Sequence, residues 1–394
     1  MLSKITQRSL PVLIIGFLAL VPMRIARAAT PTEGFVPLGE AHSFKDAPTV
    51  TEWRFEDVRG TSPFDKIGLH HVAIGKEPPT NPELVILYLP GTNMNGIVAP
   101  DDVKYSLALY LATHGADFWA MDYRTHFIPP ATPQDDLKEL KTWTYDLFAS
   151  DVDEAVKFVR AHTKHSKIFL AGFSRGVTNE YLYTAMHPEN VQGLVVLDGF
   201  LSLKTPRTAP ADVYADDIGG AHLTYDKRKT LMEMVIANAD GPAPIPKYKT
   251  ARENLEHVVY DAGGVFGGHG GLANPQGGKS DPVELAKLLI TYDRYWPAVQ
   301  DYENPFTPER LAALGKSMVP VIAFSSTNIA PDWPAMVEKS AHSTGAPAKD
   351  VSFTRLDGTG HLDVLCGTES EAKVALPTSP DDNPWQRHGD DWRP

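Results

Sequence analysis

The sequence predicts an α/β fold with a mostly parallel central sheet flanked by helices, and three observations carry that expectation. Leu84–Leu89 (LVILYL) and Val191–Leu197 (VQGLVVL) are apolar along their whole length, as strands covered on both faces must be. Segments with helical periodicity alternate with such strands, the pattern of right-handed βαβ units. The 33 prolines and 30 glycines point to many turns and long ordered loops rather than a helical bundle.

The elements follow in order. Residues 1–28 have the layout of a secretory signal peptide. Lys4 and Arg8 precede the apolar stretch Leu10 to Met23, and Ala26-Arg27-Ala28 offers an A-x-A cleavage site. The stretch is short for a membrane span. Arg24 and Arg27 behind it leave a retained anchor as the alternative. Removing the four bases of this segment takes the formal charge from −12 to −16 and leaves an exported, acidic, soluble chain with no stable membrane span. Such an acid excess argues against nucleic-acid binding, which needs clustered Lys and Arg. An arm rich in proline, Ala29–Ala47, leads to two antiparallel strands, Thr49–Val58 and Leu69–Gly75. After Leu84–Leu89 comes the turn-rich loop Pro90-Gly91-Thr92-Asn93-Met94-Asn95-Gly96. A helix capped by Asp101 or Asp102 runs to His114-Gly115, and Asp117–Met121 is the next strand. Ser150 and Asp153 have capping-box spacing for a helix carrying Val152, Val156 and Val159. Lys167–Phe173 is a strand, Val177–Met186 a helix, and Val191–Leu197 a strand again.

The alternation breaks after Asp198 and resumes at Val319–Ser325, the last clear buried strand before His361. The intervening segment, 200–318, is expected as a cap or lid inserted into a core formed by 29–199 and 319–376. Within it, eight of the eighteen residues Asp261–Gly278 are glycine, which suggests a lid hinge or a close backbone approach. A helix follows, with Asp281 as cap, Pro282 at its first position, and Leu285, Leu288, Leu289 and Tyr292 on one stripe. The tail 377–394 is expected to be irregular.

The strongest chemical signal is Gly172-Phe173-Ser174-Arg175-Gly176, a G-x-S-x-G between a predicted strand and a predicted helix. A serine nucleophile needs a strained strand-to-helix turn that projects its hydroxyl, and flanking glycines remove the side chains that would collide there. In these residues the chain resembles an α/β-hydrolase with a large inserted cap, and in detail the acid-lipase-like, esterase branch of that superfamily. Gly115-Ala116-Asp117-Phe118-Trp119 resembles the branch's Gly-x-Asp-x-Trp stretch. Thr359-Gly360 and the following His361-Leu362-Asp363-Val364-Leu365-Cys366-Gly367 resemble its histidine motif. The likeness covers about 49–200 and 319–370.

A free serine hydroxyl is a weak nucleophile, so a base is required. His361, in a Gly-Thr-Gly-His turn after the last core strand, follows Ser174 in the expected chain order. The third member is less determined. The resemblance implies an acid just beyond the strand ending near Ser325, yet Ser326-Thr327-Asn328-Ile329 contain none. Asp332 stands slightly later, and Asp198, at the end of the preceding strand, offers another route. Asp363 reads as a structural capping acid. The oxyanion hole is expected from the backbone N–H of Arg175 and that of Thr92 or its neighbour Asn93. The Arg175 side chain could meet an acidic substrate group, although local pairing is the commoner role.

Other features carry less. His70 and His71 are adjacent on a strand, point to opposite faces and cannot chelate one metal together. His269 in the glycine cluster has no second ligand at metal spacing. Tyr292, Tyr295 and Trp296 suit the core of the cap or an apolar pocket above Ser174. The lone Cys366 excludes an intramolecular disulfide and suits packing. Together these features imply a serine hydrolase acting on a small carboxylic ester with a hydrophobic or aromatic part, requiring no metal or organic cofactor. Amide hydrolysis or acyl transfer on the same residues, and a catalytically silent binding protein of the same fold, are the alternatives. Nothing in the sequence sets the oligomeric state.

Overall fold

A computed structural model of the chain describes residues 34–201, 203–217, 224–260 and 279–379. The segment 1–28 expected as an export signal, the glycine cluster 261–278 with His269, and most of the tail lie outside the described residues. Strands β1 (Val36–Pro37) and β2 (His42–Ser43) each pair briefly with β3 (Val50–Val58), which runs antiparallel to β4 (Lys66–Ile74). The core then follows as β5 (Val85–Leu89), α1 (Leu107–Thr113), β6 (Asp117–Asp122), α2 (Tyr145–Thr163), β7 (Ile168–Phe173), α3 (Arg175–Met186) and β8 (Val191–Leu197). Between β8 and β11 lie β9 (Ala215–Asp217), α4 (Tyr225–Asn238), α5 (Ala251–Tyr260), α6 (Pro282–Ile290), β10 (Tyr295–Pro297) and α7 (Pro308–Leu314). Next come β11 (Val321–Ser326), α8 (Trp333–Ala341), β12 (Val351–Leu356) and the short α9 (Asp363–Cys366), followed by helical turns over Glu371–Ala375 and Leu376–Thr378, the latter overlapping the start of the tail expected to be irregular.

The sheet runs β1-β3-β4-β6-β5-β7-β8-β11-β12. From β6 to β12 every pairing is parallel, and β4 joins β6 antiparallel. Because side chains alternate along a strand, the sheet separates two cores. Ile86, Tyr88, Phe118 and Phe324 face one side with α1, α4, α5 and α6. Leu87, Leu89, Trp119 and Leu170 face the other with α2, α3 and α8. The segment expected as a cap contributes to both cores: Leu231, Leu255 and Leu289 join the first, and Ala215, Tyr295 and Trp296 the second.

Several boundaries differ from expectation for local reasons. Helix α1 begins at Ser106, whose hydroxyl accepts the N–H of Leu109 at 3.3 Å, while Asp102 binds the N–H of Lys104 in a preceding turn. Helix α2 starts at Thr144, which caps Leu147. Ser150 therefore lies inside a helix and is no cap. Strand β12 has no counterpart among the expected strands because it is an edge strand of mixed polarity, VSFTRL, with only Leu356 buried. Asp281 does cap α6, accepting the N–H of Val283 at 2.8 Å, with Pro282 behind it.

The Gly-x-Asp-x-Trp stretch has a structural role. Asp117 is wholly buried, accepts the indole N–H of Trp119 at 2.8 Å and meets Nε2 of His71, whose ring stacks on Trp119 at 3.9 Å. His70 faces the other side of β4, toward Glu52 and Asp122.

Candidate active site

Ser174 lies between β7 and α3 with φ 54° and ψ −116°, a backbone conformation no ordinary strand or helix residue adopts. Such a residue costs about 1–3 kcal/mol and persists only where its surroundings over-determine it. They do so here. The N–H of Ser174 is held by Leu197 O at 3.0 Å and its carbonyl by the N–H of Val177 at 3.1 Å. Gly176 lies so close to β5 that a Cβ there would come within 1.9 Å of Leu89 O.

The loop after β5 closes over this turn. A Cβ on Gly91 would meet both the Ser174 Cβ and the Phe173 ring at 3.1 Å, so Pro90-Gly91-Thr92 lies directly against the serine. The N–H of Arg175, first residue of α3, has no partner within its helix and sits at the positive end of the helix dipole. Arg175 follows Ser174 directly, and Gly91, the neighbour of Thr92, packs against the serine Cβ. The Arg175 side chain turns away, donating to Asp301 at 2.7 Å and lying over the Trp296 ring. Its charge is engaged locally, the commoner of the two roles open to it, rather than directed at an acidic substrate group.

His361 follows β12 and stacks on the ring of Phe173, the residue before Ser174, at 4.6 Å between centroids. Its Nδ1 lies 2.7 Å from Asp198 Oδ2. Asp198 has no exposed surface and a left-handed φ of 49° just past β8. Three further donors converge on it: Ser326 N at 2.7 Å, Ser326 Oγ at 2.6 Å and Trp333 Nε1 at 2.9 Å. A carboxylate so surrounded is fixed in place, able to orient an imidazole and stabilise its cation.

Of the two acids the sequence leaves open, Asp198 meets His361 and Asp332 does not, since Asp332 is exposed at the start of α8. The near miss has a physical reason. It is the next residue, Trp333, that reaches the site, through its indole N–H and by packing edge-on to His361. Ser326 stands where an acid was looked for and serves as a donor to the acid one strand away. Neither Ser326 nor Trp333 was legible from residue patterns, because each acts through a contact across the sheet.

Asp363 is the structural acid of the histidine turn. Its Oδ2 accepts the N–H groups of Gly360 at 2.7 Å and Lys279 at 2.9 Å, and its Oδ1 accepts the hydroxyls of Tyr260 at 2.9 Å and Ser280 at 2.6 Å. Cys366 is fully buried behind it, and burial pushes its thiol up to about 12. Tyr292, Tyr295 and Trp296 are packed core residues, none more than 3% exposed. Among the described residues no group of side chains could hold a metal ion, and no helix is long and apolar enough to cross a membrane.

Beneath the turn, Glu180 of α3 is completely buried, its Cδ within 2.7 Å of where a Gly172 Cβ would stand. Burial raises its carboxyl well above the ordinary carboxylate range, with the Gly172 N–H opposing. The folded state thus keeps a proton that the unfolded chain releases above about pH 4.3, so this group erodes stability as pH rises. Glu180→Gln is expected to widen its thermal-stability advantage over the parent between pH 5 and pH 8. A pH-independent difference in Tm would contradict the assignment.

No protein-family model matches the sequence, and no curated protein does. Solved structures do match. A candidate lipase from Sulfolobus solfataricus has a TM-score of 0.69 at 24% identity, over 91% of this chain and 100% of that one. An esterase from Thermogutta terrifontis gives 0.46 at 15% identity, over 85% and 98%. The thioesterase domain of the curacin biosynthetic pathway gives 0.43 at 12%, over 86% and 98%. Strand order together with the first of these likenesses defines the class: the chain has the α/β-hydrolase fold.

Proposed function

We propose that the protein is a serine hydrolase that cleaves carboxylic esters through an acyl-enzyme on Ser174. The observation that carries this reading is the 2.7 Å contact between His361 Nδ1 and buried Asp198, on a ring stacked against the residue preceding the strained serine. In this scheme His361 takes the Ser174 proton as the hydroxyl oxygen attacks the acyl carbon, then delivers it to the departing alkoxide. Water attacks the acyl-enzyme with the same imidazole as base, releasing the acid and restoring Ser174. Asp198 holds the imidazole with Nδ1–H directed at itself and stabilises the imidazolium. The oxyanion that forms at each step is received by the backbone N–H groups of Arg175 and Thr92.

A hydrophobic acyl or alcohol part suits the surroundings. Met94, whose sulfur lies beside Gly91, also lines an apolar cleft with Tyr88, Val98, Leu107, Phe118 and Leu288. Export of the mature chain belongs to the same proposal and rests on the layout of residues 1–28. The test is labelling by a fluorophosphonate probe alongside turnover of short p-nitrophenyl esters. Ser174 is expected to carry the label, and Ser174→Ala to lose both label and turnover. Full turnover by Ser174→Ala would overturn the reading. Parallel amide and thioester substrates identify the leaving group.

A further inference from the structure

Outside the serine, histidine and aspartate lies a row of alternating carboxylates and imidazoles that ends on the loop after β5. His42 Nδ1 lies 3.0 Å from Glu52 Oε2, Glu52 Oε1 2.7 Å from His70 Nδ1, and His70 Nε2 3.0 Å from Asp122 Oδ2. Asp122 Oδ2 is 4.0 Å from His126 Nε2, and His126 Nδ1 is 2.9 Å from Asp293 Oδ1. The two last acids grip the loop from opposite sides. Asp122 Oδ1 accepts the Gly96 N–H at 2.7 Å, while Asp293 Oδ1 accepts Asn95 Nδ2 at 3.1 Å and its own N–H donates to Asn93 O at 2.7 Å. Asn93 and Asn95 also donate to Arg294 O and Thr291 O.

We infer that His126 and Asp293 are positioning residues, which hold the Thr92–Gly96 loop at the geometry its N–H groups need to receive the oxyanion. The inference rests on the serine-hydrolase reading for its catalytic consequence, and on the contacts alone for the brace. Asp122 and Asp293 are both nearly buried, at 7% and 10% side-chain exposure, and would repel each other across the loop. His126 stands between them, its Nδ1 within hydrogen-bond distance of Asp293 at 2.9 Å and its Nε2 4.0 Å from Asp122, so that a charged imidazolium offsets both carboxylates at once. The groups facing it are Asp122 from β6, Asp293 from the segment after α6, and the like-charged His70 from β4. Burial and His70 work against its charge, but the two acids outweigh them and raise His126 to about 9; His70, between Glu52 and Asp122, rises to about 10. The sign is therefore that the brace is intact at neutral pH and lost as pH climbs through about 9.

Amide hydrogen exchange on the intact protein, corrected for intrinsic rates, tests the brace directly. Residues 92–96 are expected to lose protection between pH 7 and pH 9.5, while residues 172–177 keep theirs. His126→Gln and the isosteric Asp293→Asn should each expose 92–96 already at pH 7. Both should lower kcat on p-nitrophenyl butyrate by roughly tenfold or more, a part of the 10²–10³ that removing an oxyanion donor costs. KM should stay within about threefold, and the fall in kcat near pH 9 should vanish from the His126→Gln profile. Unchanged protection at 92–96, in the parent at high pH or in a folded variant, overturns the brace. Altered protection with unchanged kcat overturns the positioning role. A parent protein whose Ser174 takes no fluorophosphonate label would instead overturn the hydrolase reading, and the exchange data would still decide the brace.

Discussion

Asp198→Asn is expected to lower kcat/KM on a short p-nitrophenyl ester by roughly 10³- to 10⁴-fold, the range for neutralising the acid behind a catalytic histidine. Asp332→Asn is expected to stay within about twofold, as surface substitutions away from special contacts do. The asymmetry follows from position. Asp198 is the group at 2.7 Å from His361 Nδ1, with Ser326 and Trp333 fixing its two oxygens. An amide there can turn an N–H toward the imidazole and favour the tautomer whose Nε2 carries the proton, which cannot accept one from Ser174. Parallel kinetics and melting curves for the two variants check this. Comparable activity in both, or a large loss confined to Asp332→Asn, would remove Asp198 from the proposed mechanism.

Gly176→Ala is expected to cost about 3 kcal/mol or more of stability, the upper part of the range for overpacking, and to abolish probe labelling of Ser174. A methyl group at 1.9 Å from Leu89 O cannot be accommodated by rotating a side chain, since the obstacle is backbone. Relief requires β5 and the start of α3 to separate, which moves the loop after β5 away from the serine. The effect therefore appears in both unfolding and chemistry. Denaturant titration with labelling of the folded fraction measures each, and a variant of parental stability would show that the elbow is not packed against β5 as described.

How much of this was legible from residues alone depends on the range over which each feature is determined. The α/β class follows from runs such as LVILYL, whose unbroken apolarity has one physical explanation, two covered faces. The turn at Ser174 is encoded within five residues, because a strained φ and a close approach to a neighbouring strand leave glycine as the flanking residue. The acid is another matter. Asp198 and His361 are 163 residues apart and meet because β11 lies between β8, which leads into Asp198, and β12, which precedes His361, with Ser326 of β11 completing the contact. No local pattern records that adjacency. Strand β12 escaped for a related reason: at the edge of the sheet it has a partner on one side only, so its sequence carries the polarity of a surface. The buried row from Glu52 to Asp293 was likewise invisible, since its members come from four separate segments.

The carboxylate of Asp363 binds Tyr260 on one flank of the glycine-rich stretch and Lys279 with Ser280 on the other. It therefore acts as a buckle: the chain leaves and returns at a single point, two residues from His361. The histidine's position is thereby insulated from whatever length of chain is threaded between those flanks. Changing the number of residues between those flanks is therefore expected to leave His361 in place, which makes the stretch a socket beside the proposed active site.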